Sequence, residues 1–64
     1  MAISLKAARV NAGLTQIEAA SALNISKTTL ASYEMYRTKP DIETAKRIAE
    51  LYNVGIDDII FFKH

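Results

Sequence analysis

Apolar residues recur every three or four positions along most of this chain, the spacing of amphipathic helices. Leu5, Ala8 and Ala12 mark a first helix over about residues 3–12, and Gly13 follows as a left-handed stop. Thr15 with Glu18 three residues later predicts a capping box at the start of a second helix. Ser26 is placed to cap a third. Arg37-Thr38-Lys39-Pro40 reads as a loop, because Pro40 cannot continue a helix. Asp41 caps a fourth helix reaching about Tyr52. Its core stripe is Ile42, Ala45, Ile48, Ala49 and Tyr52, with Leu51 beside it and Glu43 and Arg47 as a solvent-side i,i+4 pair. Asn53 ends that helix, and a short fifth helix is expected from about Ile56. No strand pattern persists. The expectation is an all-α fold of five short helices in one domain over residues 1–64.

Residues 16 to 34 carry the most specific signal. They read as two short helices joined by a tight turn, with Ala20 four before Asn24 and Leu30 six after it. Two helices cross closely at a steep angle only where a small side chain sits at the contact. The turn residue must tolerate a left-handed backbone, and the second helix needs an apolar residue pointing back at the first. A unit of this kind, over about residues 15–35, offers the outer face of its second helix to the DNA major groove.

Composition narrows the function classes. A chain of 64 residues is near the lower limit for folding alone, and 50% apolar content supplies a core. There is no cysteine, so neither a disulfide nor a thiolate metal site is available, and the single histidine, His64, is the last residue. No cofactor or metal is expected. No acidic cluster facing a cleft points to an enzyme. Neither a membrane-spanning run nor a signal pattern is visible, so a cytoplasmic, nucleoid-associated protein is the default. The net charge is only +1, but it is unevenly spread. Residues 1–40 hold Lys6, Arg9, Lys27, Arg37 and Lys39 against Glu18 and Glu34, a net +3. Residues 41–64 hold Lys46, Arg47 and Lys63 against Asp41, Glu43, Glu50, Asp57 and Asp58, a net −2. One half suits a polyanion while the other faces away.

A helical wheel for the third helix, about residues 26–36, advances about 100° per residue. Ser26, Thr29, Leu30, Tyr33 and Glu34 fall on one side, and Lys27, Thr28, Ala31, Ser32 and Met35 on the other. The second face suits base reading. Lys27 can donate to guanine O6 or N7, Thr28 and Ser32 can donate or accept, and Ala31 permits close approach and can touch a thymine methyl. The same residues would also make an ordinary solvated face. Gln16 opens the second helix, where free N–H groups and the positive dipole end favour a phosphate. Arg37, Thr38 and Lys39 suit backbone phosphates across the groove, although a merely solvated loop would look the same.

The ordered pattern Arg9-x3-Gly13-Leu14-Thr15-Gln16, Ala20-x3-Asn24-Ile25-Ser26, Leu30-x2-Tyr33-Glu34, Lys39-Pro40, Ile48-Ala49, Val54 and Ile59 resembles the Xre/Cro-type phage repressor helix-turn-helix family. The resemblance covers essentially the whole chain. It implies a lambda-repressor-like domain that binds a palindromic operator in double-stranded DNA as a two-fold dimer and regulates transcription. By this analogy Lys27, Thr28 and Ser32 contact bases, while Gln16, Arg37 and Lys39, with Thr38, contact phosphates. It also implies an ion pair between Arg9 and Glu34, joining the first helix to the third.

Three departures stand out. The family commonly has glycine where Asn24 and Tyr36 stand. A tyrosine is costly in a left-handed conformation, so the third helix is expected to run longer, with Tyr36 itself reaching a phosphate. Ile17 lies where polar residues are usual, which leaves an apolar spot exposed.

The expected core is Leu5, Ala8, Leu14, Ala19, Ala20, Leu23, Ile25, Leu30, Ile42, Ala45, Ile48, Ala49, Val54 and Ile59, bordered by Arg9 and Glu34. The end of the chain holds more apolar bulk than one small core accepts. On a fifth helix Ile56, Ile59 and Ile60 share a side, while Phe61 and Phe62 point away. Either the helix ends and the chain folds back, or rings are exposed as a partner surface, with Ile56, Ile60, Phe61 and Phe62 as homodimer candidates. The leading function is sequence-specific DNA binding by a repressor-like regulator. The alternative is a protein-interaction module, such as an antitoxin or adaptor, on the same fold. With no separate ligand domain in 64 residues, any switch comes from a regulatory protein partner, proteolysis, dimer dissociation or a longer parent chain.

Overall fold

The computed structural model describes residues 2–62. A two-residue strand β1 (Ile3–Ser4) leads into helices α1 (Leu5–Asn11), α2 (Gln16–Leu23), α3 (Lys27–Glu34) and α4 (Ile42–Tyr52). A single 3-10 turn, Ile56–Asp58, then leads to strand β2 (Ile59–Ile60). The strands pair in parallel, Ile3 with Ile59 and Ser4 with Ile60.

The helices form where the caps allow. Ser4, Thr15, Ser26 and Asp41 each accept a backbone N–H three residues on: Ala7, Glu18, Thr29 and Thr44. These bonds satisfy amides that a helix start otherwise leaves open. At α2 the box is reciprocal, because the Thr15 N–H donates to Glu18 Oε1 at 2.8 Å. That bond, helped by the Thr15 hydroxyl, holds the Glu18 carboxyl below its ordinary value. Thr44 does the same for Asp41, through its hydroxyl and then its backbone amide.

All four α-helices close the same way. A residue with positive φ follows each one: Gly13 at 77°, Asn24 at 58°, Tyr36 at 59° and Asn53 at 56°. Its N–H and the next one turn back to the helix's last carbonyls, as in Ile25 N–H to Ala20 O at 3.0 Å and Arg37 N–H to Ser32 O at 3.0 Å. This is the Schellman closure, which satisfies carbonyls that the helix leaves unpaired.

The core collects Leu5 and Ala8 from α1, Ala19, Ala20 and Leu23 from α2, Leu30 from α3, Ile48, Ala49 and Tyr52 from α4, and Ile59 from β2. Ala20 and Leu30, expected at the crossing of α2 and α3, are both buried. Leu14, Ile25 and Val54 pack against this core half-buried. Arg47 Nη2 donates to Leu23 O at 2.9 Å, fastening α4 to the end of α2.

Four expectations are corrected. Among the described residues there is no fifth α-helix: the segment is one 3-10 turn and a strand, and β1 takes residues expected in the first helix. Ile59-Ile60-Phe61-Phe62 is a run of β-branched and aromatic residues, and it follows the period of two, with Ile59 buried, Ile60 exposed, Phe61 half-buried and Phe62 exposed. Ile42 is not core but 68% exposed, because it is the first residue of α4 and projects beyond the packed part of the stripe. Arg47 turns to Leu23 O, and no Glu43–Arg47 ion pair is found among the described residues. Finally, α3 does not run on through Tyr36 but ends at Glu34.

Candidate nucleic-acid interface

The second and third helices are held at a fixed angle by one buried polar knot. Arg9 on α1 donates from Nε to Glu34 Oε2 at 2.7 Å and from Nη2 to Glu34 Oε1 at 3.3 Å. Its remaining nitrogen, Nη1, donates to Leu14 O at 2.9 Å. Gln16 Nε2 donates to Glu34 Oε1 at 3.0 Å. The pair is deeply covered, with side chains 9% and 5% exposed. One carboxylate thus joins α1, the first residue of α2 and the last residue of α3. Burying two charges contributes little net stability, but losing one partner would leave the other buried and unpaired.

With Leu30 and Glu34 turned inward, the outward face of α3 is the predicted one. Lys27 and Thr28 are exposed, and Ala31 and Ser32 are half-buried. The Ser32 hydroxyl lies 2.9 Å from the Thr38 hydroxyl, so the face and the following loop are bonded together. Arg37, Thr38 and Lys39 are exposed. Lys39 Nζ sits 5.7 Å from the centre of the Phe62 ring, within cation–π range.

Two candidates are placed differently from the expectation. Gln16 is half-buried and gives an N–H to Glu34, so only its second amide hydrogen is left for a phosphate. Tyr36 does not turn outward. Its hydroxyl donates to Ile60 O at 3.2 Å and accepts a long hydrogen bond from Leu5 N–H at 3.5 Å, so its place is among the terminal strands and not on a phosphate. Sequence reasoning also passed over Lys6. This exposed cation lines an open recess of about 460 Å³ with Gln16, Ala31 and Met35. The signal available was its i,i+3 relation to Arg9, which puts both on one side of α1.

The Helix-turn-helix family model matches residues 5–59, which takes in every helix and the first residue of β2. The chain belongs to the Xre-type helix-turn-helix family. The HTH-type transcriptional regulator ImmR of Bacillus subtilis (strain 168) is 45% identical over 56 residues, 88% of this chain and 44% of that protein. The chain therefore spans less than half the length of this curated relative. No solved structure matches it.

Away from the outward face of α3, several of the homodimer candidates lie at one end of the domain. Ile56, Phe61 and Phe62 line an open recess of about 400 Å³ with Pro40 and the exposed Ile42. Ile60 stands on the outer side of β2. Among the described residues no group of acidic, histidine or cysteine side chains could hold a metal ion, and no helix is long and apolar enough to cross a membrane.

Proposed function

We propose that this chain binds double-stranded DNA by sequence and regulates transcription in a repressor-like manner, with α3 in the major groove. The observation that carries this reading is the locked helix pair: Glu34 fixes α3 against α1 and Gln16, so Lys27, Thr28, Ala31 and Ser32 stand outward as one reading face. Lys27, Thr28 and Ser32 contact base edges and Ala31 admits a thymine methyl. Arg37, Thr38 and Lys39, with the second N–H of Gln16, take phosphates and set the register. The kinship with a transcriptional regulator supports the same reading.

The apolar end around Ile42, Ile56, Ile60, Phe61 and Phe62 serves a two-fold dimer on a palindromic operator. Its recognition helices then lie about 34 Å apart, one turn of B-DNA. Selection of bound sequences from a random duplex pool tests the whole reading. A palindrome with two half-sites one turn apart is expected. A single half-site removes the dimer. If no sequence is enriched, DNA reading fails and a protein-interaction module remains.

A further inference from the structure

Tyr36 occupies a backbone position that suits it poorly. It stands at φ 59°, in the left-handed region where a bulky residue is disfavoured and glycine or asparagine is easy. The equivalent closures of the other three helices use Gly13, Asn24 and Asn53. Nothing in the closure itself needs a ring, since its hydrogen bonds are all backbone: Tyr36 N–H to Tyr33 O at 3.1 Å and Arg37 N–H to Ser32 O at 3.0 Å. What the side chain adds lies elsewhere. Its hydroxyl meets Ile60 O in β2 and the first amide of α1, two segments at opposite ends of the chain. The residues that follow directly, Arg37, Thr38 and Lys39, are the cationic loop. Thr38 is tied back to Ser32, and Lys39 leans over Phe62, two residues beyond Ile60. The loop is therefore suspended between the reading face on one side and the chain's closing strand on the other.

We propose that Tyr36 is a positioning residue for DNA binding. Its hydroxyl anchors the trailing end of α3 to the paired strands, so that the loop's cations are presented in a fixed arrangement before DNA arrives. A loop ordered in advance loses less freedom on binding, and that saving appears as affinity. The proposal rests on the DNA-binding reading above.

Two variants separate positioning from folding. Tyr36→Phe keeps the ring and removes the hydroxyl. Tyr36→Gly relieves the backbone and removes the whole anchor. Thermal melting, the amide spectrum, and affinity for a duplex selected from a random pool are measured for each alongside the native chain. Tyr36→Gly is expected to melt no lower than the native chain yet bind the selected duplex up to about tenfold more weakly, the equivalent of one hydrogen bond. Tyr36→Phe is expected to weaken binding to a similar extent, with its amide shifts changing at 37–39 and not at 27–32. A simple packing role predicts instead that affinity follows stability. Tyr36→Gly binding as tightly as the native chain overturns the proposal; if that variant does not fold, Tyr36→Phe with native affinity and an unchanged loop spectrum does so. A native chain that binds no duplex overturns the DNA reading itself, and that result is visible before any variant is compared.

Discussion

Helix α3 is approached through Asn24 and left through Tyr36, and the two residues share one backbone conformation, φ 58° and 59°. Around them everything differs. Asn24 is a residue that visits the left-handed region routinely, and Ser26 then caps α3 through its own Thr29 amide. The leading end of α3 is thus specified within a few residues. The trailing end has no such local code. A tyrosine there costs about 1–2 kcal/mol of backbone strain. It is held by Glu34 reaching Arg9 and Gln16, by the Tyr36 hydroxyl reaching Leu5 and Ile60, and by Thr38 and Lys39 reaching Ser32 and Phe62. One end of α3 is set by neighbours in sequence and the other by the assembled fold.

The largest effect belongs to the trailing end. Glu34→Ala leaves the Arg9 guanidinium buried without its partner and is expected to lower unfolding free energy by about 3–5 kcal/mol in urea melts. A loss as small as that of a surface residue would show that the knot is dispensable and the contrast between the ends false. Next comes binding, where the ends should differ in kind. Lys27→Ala, at the leading end, is expected to relax preference at particular operator positions, at about 1–3 kcal/mol for the preferred sequence. Lys39→Ala should weaken selected and random duplexes alike and reduce the salt slope by about one. Titrations at several salt concentrations read both, and identical behaviour of the two variants would erase the division between reading and holding.

Smaller still is Ser26→Ala, which removes a single local cap and is expected to cost about 1 kcal/mol in the same urea melts. A cost matching that of Glu34→Ala would mean that the leading end is not set locally. The smallest effect is expected at Tyr52, whose hydroxyl is buried beneath the knot without a hydrogen bond among the described residues. Tyr52→Phe should be neutral or slightly stabilising at neutral pH, since it removes an unsatisfied group. Burial, and then the charge of Glu34, push the Tyr52 phenol up to about 12 from its ordinary 10.0, against an opposing pull from Arg9. Below pH 10.0 the phenol is neutral in both folded and unfolded chains. Above it the unfolded chain ionises first, so stability falls as pH rises toward about 12. Melting curves across that window should show a shallower alkaline decline for Tyr52→Phe than for the native chain.

The leading end was legible from sequence because its information is local. Thr15 with Glu18, Asn24, Ser26, Leu30 and the outward Lys27 all follow from spacing and residue chemistry. So do the left-handed stops at Gly13 and Asn53 and the Asp41 cap. The Arg9–Glu34 contact needed the family resemblance and the inward position of Glu34 on the wheel. The trailing end and the tail differ from the expectation for opposite reasons: distant contacts outweigh local preference at Tyr36, whereas in the tail the local strand preference itself prevails. Tyr36 looked too bulky for a left-handed turn, and its reason to be there lies in distant backbone groups, the Ile60 carbonyl and the Leu5 amide. Ile59 to Phe62 were set on a helical wheel although β-branched and aromatic residues in an unbroken run favour a strand. Their partner, Ile3 and Ser4, is too short to declare itself as a strand from sequence. Ile42 matched the stripe's period, but period alone does not say where a stripe runs out of neighbours.

The pairing of Ile3–Ser4 with Ile59–Ile60 also orders events in time. A ribosome releases this chain from its beginning, and the four helices can dock on one another as they emerge. The first strand has to wait, its edge unpaired, until almost the last described residues have left the exit tunnel. Closing the strands is therefore the step that completes the domain, and the anchor on Ile60 O can form only then. A chain whose synthesis stalls within α4 would carry the outward lysine and hydroxyls of α3 but not the anchored loop beside them.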